Sequence, residues 1–302
     1  MKKGFRVLLI IAVCLIVIGI IISAASFFFI KDADFDRYSD AVAEKINYAL
    51  RRFGIDNEVD IDIGADHFTV NEKNGNRKFG SGDTDTVTGD GVHSISAEAV
   101  RELEINWVAG EVEIRADDST DEITFSEDFQ GFSKPLNYKL SGNKLSIEFV
   151  KNGRFMNISG GKKLKVTIPY SYADRISEIN VDVVSADCTI TGLKTDEVNL
   201  NSVSGTVDIY GTFTDVDIDT VSGWVNIGSE KCPEDLEIGT TSGSIYLTLP
   251  ENSAFSLEFN TVSGDFSTDL PFTVAGSKYI YGTGGGNFEI DTISGDLSIS
   301  VG

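Results

Sequence analysis

Five times in its second half the chain sets a Ser-Gly pair into the same short frame. The copies are NSVSGTVDI from Asn201, TVSGWVNI from Thr220, TTSGSIYL from Thr240, TVSGDFST from Thr261 and TISGDLSI from Thr292. Two weaker copies precede them: INVDVVSADCTI has Ala186 in the glycine position, and LEINWVAGEVEI has Gly110 there. A repeat of about twenty residues constrains a fold more than any single motif, because such units bury their apolar faces against one another in a stack.

Aligned on the pair, the copies form columns. Ile105, Val181, Leu200, Ile218, Ile238, Phe259 and Ile290 make one, and Trp107, Val183, Ser202, Thr220, Thr240, Thr261 and Thr292 the next. Beyond the pair come Val112, Cys188, Val207, Val225, Ile245, Phe266 and Leu297, then Ile114, Ile190, Ile209, Ile227, Leu247, Thr268 and Ile299. Polar residues alternate with these columns, so the columns face inward. Ser202 and Val207 both belong to inward columns, yet they are an odd number of residues apart, which an unbroken strand would send to opposite faces. The chain must therefore turn between them, at a residue that tolerates positive φ. The Ser-Gly pair is a corner, and a nucleophilic role for its serine is not needed. Gly205→Val is expected to disturb folding and Ser204→Ala to change little.

Two all-β folds place a corner there. In a β-solenoid each copy is one coil and like columns stack on like. In a hairpin meander the pair is a two-residue turn that sets Ser202 against Val207. The regular period and matched columns favour the solenoid, and two-residue hairpins prefer Asn-Gly or Asp-Gly.

The N-terminus reads differently. MKKGFR is basic, and Val7 to Ile30 is uncharged. Those 24 residues would make a helix of about 36 Å, enough for a hydrocarbon core of ~30 Å. Lys2, Lys3 and Arg6 set the N-terminus in the cytoplasm, and the chain beyond lies outside the membrane. Ser23-Ala24-Ala25 offers a signal-peptidase site, but FFFI prolongs the apolar run past it, which favours an uncleaved anchor. Val13 before Cys14 is too large for a lipoprotein site, so Cys14 reads as membrane-buried. Phe35, Tyr38, Val42, Ile46, Ala49 and Phe53 form a helical stripe ended by Gly54. The expected organisation is an anchor over residues 1–30, a juxtamembrane helix over 31–55 and a β-repeat domain over 56–302, with a loop at 71–91.

The whole chain carries a net charge of −22, and beyond residue 30 its 22 basic and 47 acidic residues leave −25. That excludes nucleic acid as a partner. Cys188 stands in an inward column and Cys232 in a loop, so neither implies a disulfide framework. His67 and His93 lack metal-ligand spacing. GTGGG (282–286) has no following Lys-Ser/Thr and reads as a hairpin tip between KYIY and NFEID rather than a phosphate loop. The outward column Asp182, Asn201, Asp219, Gly239, Asn260 and Asp291 could offer oxygen ligands to calcium, but it reads first as a polar ladder bonding along the stack. Trp224 stands outward in a column of small or polar residues, either as a partner contact or as a scattered surface aromatic. No catalytic, cofactor-binding or metal-binding residue is assigned.

KLKVTIP (163–169), the V-S-G copies and YGTGGGNFEIDTISGDLSI (281–299) resemble the bacterial putative-adhesin β-strand-repeat proteins. They are also similar to the membrane-anchored LiaG-like proteins of cell-envelope stress operons. The resemblance covers roughly residues 60–302. It implies a β-solenoid, a cell-envelope setting, no enzymatic activity and no cofactor. The expected function is a membrane-anchored, extracytoplasmic interaction module whose partner is an envelope polymer, a surface ligand or a membrane protein. An accessory regulator of envelope-stress sensing and a polysaccharide-active β-helix enzyme are the alternatives.

Overall fold

The computed structural model describes residues 91–118, 121–128, 136–149 and 162–302, together with the backbone of strands at 59–63, 68–72, 75–79 and 87–89. The anchor and the juxtamembrane stripe lie outside the described residues. Among those described, no helix is long and apolar enough to cross a membrane. The chain divides into two compact units at Thr84/Asp85. In the first, Val59–Ile63, Phe68–Glu72 and Gly75–Phe79 pair antiparallel as a three-stranded sheet. The Gly- and Asn-rich stretch read as loop over 71–91 thus contains strands at 75–79 and 87–89.

The second unit is all-β and built as a parallel stack. Each coil contributes one strand segment to a first wall, turns at the Ser-Gly corner, and contributes another to a second wall. Ser202 pairs with Thr220, and Thr220 with Thr240, across coils in parallel register. Val207 pairs likewise with Val225, and Val225 with Ile245. This is the solenoid arrangement, and the hairpin pairing of Ser202 with Val207 does not occur. The aligned columns meet in register except at Thr261, which lies just past its strand and is exposed, and the two weaker copies join them: Val181 faces Ile105, and Cys188 stands between Val112 and Val207.

The stacking order differs from the order in sequence. On the first wall Ile238 pairs with Ile290, which pairs with Phe259. On the second wall Ile245 pairs with Leu297, which pairs with Phe266. The C-terminal coil therefore lies between two coils that precede it in the chain. GTGGG is accordingly not a hairpin tip. KYIY runs antiparallel along one side of Phe255–Asn260, and NFEID runs parallel along the other. The glycine segment carries the chain across the start of that strand, where the Gly286 amide donates to the Ala254 carbonyl at 2.7 Å. The true hairpin joins Thr273–Ala275 to Lys278–Tyr281 and covers the edge of the first wall, where an open edge would otherwise invite pairing.

The inward columns form one continuous core. Ile105, Ile218, Val207, Val225, Ile245 and Leu297 are all under 2 % exposed. At the N-terminal end Trp107 is enclosed and donates its indole N–H to the Lys162 carbonyl at 3.1 Å. Lys162 is itself 4 % exposed and pairs with Glu127 at 2.9 Å. At the other end the Phe255 and Phe288 rings stack with centroids 4.4 Å apart.

The corner is tighter than its parity required. Gly205 and Gly223 have φ of +123° and +128°, a region that disfavours side chains. Each corner also rests on its neighbour's backbone. A Cβ on Gly223 would lie 2.9 Å from the carbonyl carbon of Gly205 and nearer still to its oxygen, and Gly243 meets Gly223 in the same way. The serines join the coils too. Ser204 Oγ donates to the Val184 carbonyl and Ser222 Oγ to the Val203 carbonyl, both at 3.4 Å.

Candidate functional site: the two outer walls

Because inward positions are filled by the core, contact with a partner falls to the outward columns. On the first wall there are three. In stacking order the first runs Lys144, Glu102, Glu178, Glu197, Asp215, Asp235, Asn287, Ser256. The second runs Ser146, Glu104, Asn180, Asn199, Asp217, Glu237, Glu289, Glu258. The third runs Glu148, Asn106, Asp182, Asn201, Asp219, Gly239, Asp291, Asn260. Fourteen of these 24 residues are acidic, six are Asn, and Lys144 alone is basic.

The amides keep this wall together. Asn201 Nδ2 donates to Asp182 at 2.7 Å, Asn260 to Asp291 at 2.8 Å, Asn199 to Asn180 at 3.1 Å and Asn287 to Asp235 at 3.1 Å. The outward Asp/Asn column is thus a ladder bonded along the stack. Each amide takes up part of a carboxylate's acceptor capacity and separates like charges that would otherwise sit one strand apart. Where no amide intervenes the repulsion remains. Partial burial, then Asp235, Glu197, Glu234 and Asp196, hold the Asp215 carboxyl above its ordinary range. Asp215, Asp235, Glu197, Glu237 and Glu289 line a shallow open depression in this wall. Among the described residues no group of three or more His, Cys, Asp or Glu has the geometry to hold a metal ion.

The second wall is different. Near its N-terminal end Lys163 bridges Glu111 and Glu113 at 2.8 and 2.9 Å, and its hydrogen bond holds the Glu113 carboxyl below the usual range. Further along, the outward positions are small or hydroxyl-bearing apart from three aromatics, Asp208, Asn226 and the corner aspartates Asp187, Asp265 and Asp296, where Asp187 accepts the Thr206 amide at 2.8 Å and Asp296 the Asp265 amide at 2.9 Å. Trp224 is 61 % exposed; Tyr210 stands on the preceding coil opposite Gly228 and Tyr246 on the following coil opposite Asn226. Sequence reasoning singled out Trp224 and missed the other two, because they occupy different columns in different copies.

The remaining sequence candidates are scattered. His93 packs against Phe125 and Tyr138, with ring centroids 5.4 and 4.9 Å away. Cys188 is buried, Cys232 is partly buried, and both are free thiols. Burial, with Asp208 and Asp187 nearby, pushes the Cys188 thiol up to about 12. His67 lies outside the described residues.

Comparison with known proteins gives one family match and several distant structural likenesses. No curated protein matches the chain significantly. Among solved structures, a putative cell adhesion protein from Clostridium sporogenes is 11 % identical, with a TM-score of 0.43 over 72 % of this chain and 100 % of that one. A putative adhesin from Bacteroides fragilis is 12 % identical, with a TM-score of 0.38 over 72 % and 98 %. One from Parabacteroides distasonis is 13 % identical, with a TM-score of 0.30 over 70 % and 96 %. These likenesses are too distant to carry an argument. The family model does more. It matches twice, over residues 100–212 and 175–300, and the two matches together cover two thirds of the chain and nearly all of the stack. The chain belongs to the Toastrack DUF4097 family.

Proposed function

We propose that this protein is a non-catalytic interaction module of the cell envelope, held by an N-terminal single-pass anchor with its stack outside the cytoplasm. The observation that carries the reading is the pair of outer walls. Each presents unbroken outward columns over successive coils at ~4.8 Å spacing, a geometry suited to an extended partner rather than to one enclosed small molecule. The uncharged run from Val7 to Ile30, with Lys2, Lys3 and Arg6 before it, supports the anchor and its orientation. Partners of this class are an envelope polymer, a surface ligand or another membrane protein.

Two measurements on intact cells test the reading. Protease added to spheroplasts should digest the stack, while protection until lysis would place it in the cytoplasm and remove the proposal. Cross-linking in the native membrane should recover wall polymer or a surface component. Recovery of a sensor kinase alone would move the assignment to envelope-stress regulation.

A further inference from the structure

Tyr170, Tyr210, Trp224 and Tyr246 are the aromatic residues exposed by 47 % or more among those described. All four stand on the second wall or at its edge, whereas the outward columns of the first wall hold no aromatic residue. Three of them border one polar pair. Register sets Asp208 beside Asn226 and Asn226 beside Tyr246. Trp224 precedes Asn226 by two positions and so projects from the same face. Tyr210 pairs with Gly228, and its ring lies across that glycine: a Cβ there would be 2.6 Å from the ring Cδ1 and 3.1 Å from Cε1. Aromatic residues thus occupy the position before Asn226 on its own face, the position opposite it on the next coil and, through the Tyr210 ring over Gly228, the position after it. On the preceding coil, Asp208 Oδ1 accepts the Asn226 Nδ2–H at 2.6 Å.

From this arrangement we infer that the second wall binds the sugar rings of an uncharged polysaccharide, a partner that gives chemical content to the envelope-module reading on which the inference rests. Aromatic faces carry partial negative charge and attract the polarised C–H bonds on the flat side of a pyranose. The Asn226–Asp208 pair keeps an amide oxygen, a second amide N–H and the other carboxylate oxygen for ligand, a donor and acceptors spaced for neighbouring hydroxyls. Tyr210, Trp224 and Tyr246 come from three successive coils about 4.8 Å apart but from three different columns, so the rings border the Asn226–Asp208 pair rather than line up along the stack. Thr206, Ser244 and Thr248 border the rings with further hydroxyls.

Charge decides between occupants. An anionic polymer is repelled by a chain at net −22 and by Asp208 itself. A cationic one is drawn to the first wall with its fourteen carboxylates. An apolar protein surface would bury the Asn226–Asp208 pair without replacing its water. A neutral, hydroxyl-rich polymer satisfies both the rings and the pair.

The chain supplies its own reporter, since it has two tryptophans and Trp107 is fully enclosed. Full-length protein in detergent micelles is titrated with cellohexaose, chitohexaose and maltohexaose while tryptophan emission is followed. At least one sugar should give a saturable blue shift. Tyr246→Ala, which keeps the reporter, should weaken that affinity at least tenfold at an unchanged melting temperature, and Asp235→Asn on the first wall should leave it unaltered. No shift with any of the three sugars, an equal response to polygalacturonate or polylysine, or an unaffected Tyr246→Ala variant would each overturn the inference. Cross-linking of an envelope partner that survives Trp224→Ala would remove the sugar site and leave the envelope reading standing. Cytoplasmic location would remove that reading, and the titration would still decide the face.

Discussion

Replacing Gly223 by alanine tests the corner where the stack is tightest. Two costs arise together. The backbone holds φ at +128°, and a side chain in the left-handed region costs about 1–2 kcal/mol. The new methyl would also press into the Gly205 peptide, 2.9 Å from its carbonyl carbon, so the coils must part, and overpacking of this kind typically costs about 1–3 kcal/mol. The sum, roughly 2–5 kcal/mol, is a large share of the 5–15 kcal/mol that holds a domain folded. For a unit of this size each kcal/mol lowers Tm by about 2–4 °C, so a fall of roughly 10 °C is expected in a circular dichroism melt. Gly142→Ala separates the two costs. Gly142 has φ of +63° but nothing within 4 Å of the added carbon, so it bears only the backbone strain and should fall by roughly 3 °C. Equal melting of the two variants would refute the view that stacking of corner on corner, rather than φ alone, demands glycine.

Three further outcomes are expected. Ser202, Thr220 and Thr240 have buried hydroxyl oxygens without a hydrogen-bond partner, so Thr220→Val, which keeps the shape, should raise stability by about 1 kcal/mol, read as a higher melting temperature. Cys188 should resist thiol reagents in the folded protein and react at the rate of unfolding, while Cys232 labels directly; mass spectrometry of the labelled peptides distinguishes them, and early labelling of Cys188 would show that the stack opens locally. Asp215 has a carboxyl raised in the folded state, so its ionised form opposes folding above that value, and the penalty disappears as pH falls below the ordinary Asp range. Asp215→Asn should therefore melt higher than the parent at neutral pH and equally at pH 3, and a gain that persists in acid would point to another cause.

The columns were legible in the sequence because parity and burial act on every copy alike. Ser202 and Val207 cannot both face inward without a turn, and the register bears out the aligned positions from Ile105 to Ile299 except Thr261, which the chain leaves exposed where its strand ends. The order of the coils was not legible. A column of isoleucine and valine accepts either neighbour, so nothing in Ile238, Phe259 and Ile290 says that the last belongs in the middle. GTGGG was misread for the same reason, since the hairpin it suggested assumes that strands adjacent in sequence are adjacent in space. The role of the corner serines was partly missed. Ser204 and Ser222 reach carbonyls on neighbouring coils, contacts that alignment within one copy does not reveal. The polar pair on the second wall was invisible as well, because Asn226 gains its surroundings from residues 16 positions before it and 20 after it.

The insertion of the C-terminal coil also bears on how the protein is made. Strands emerging from a ribosome can add to a parallel stack one after another only while each finds its neighbour already in place. Here the coil at 255–268 has its neighbour, 286–301, still to be synthesised. A ribosome stopped before residue 286 would leave two unpaired strand edges, not a stack shortened by one coil. Completion of the stack is thereby tied to synthesis of residues 286–301, and a product truncated before them would display to the proteases of its compartment a gap that the folded stack never has.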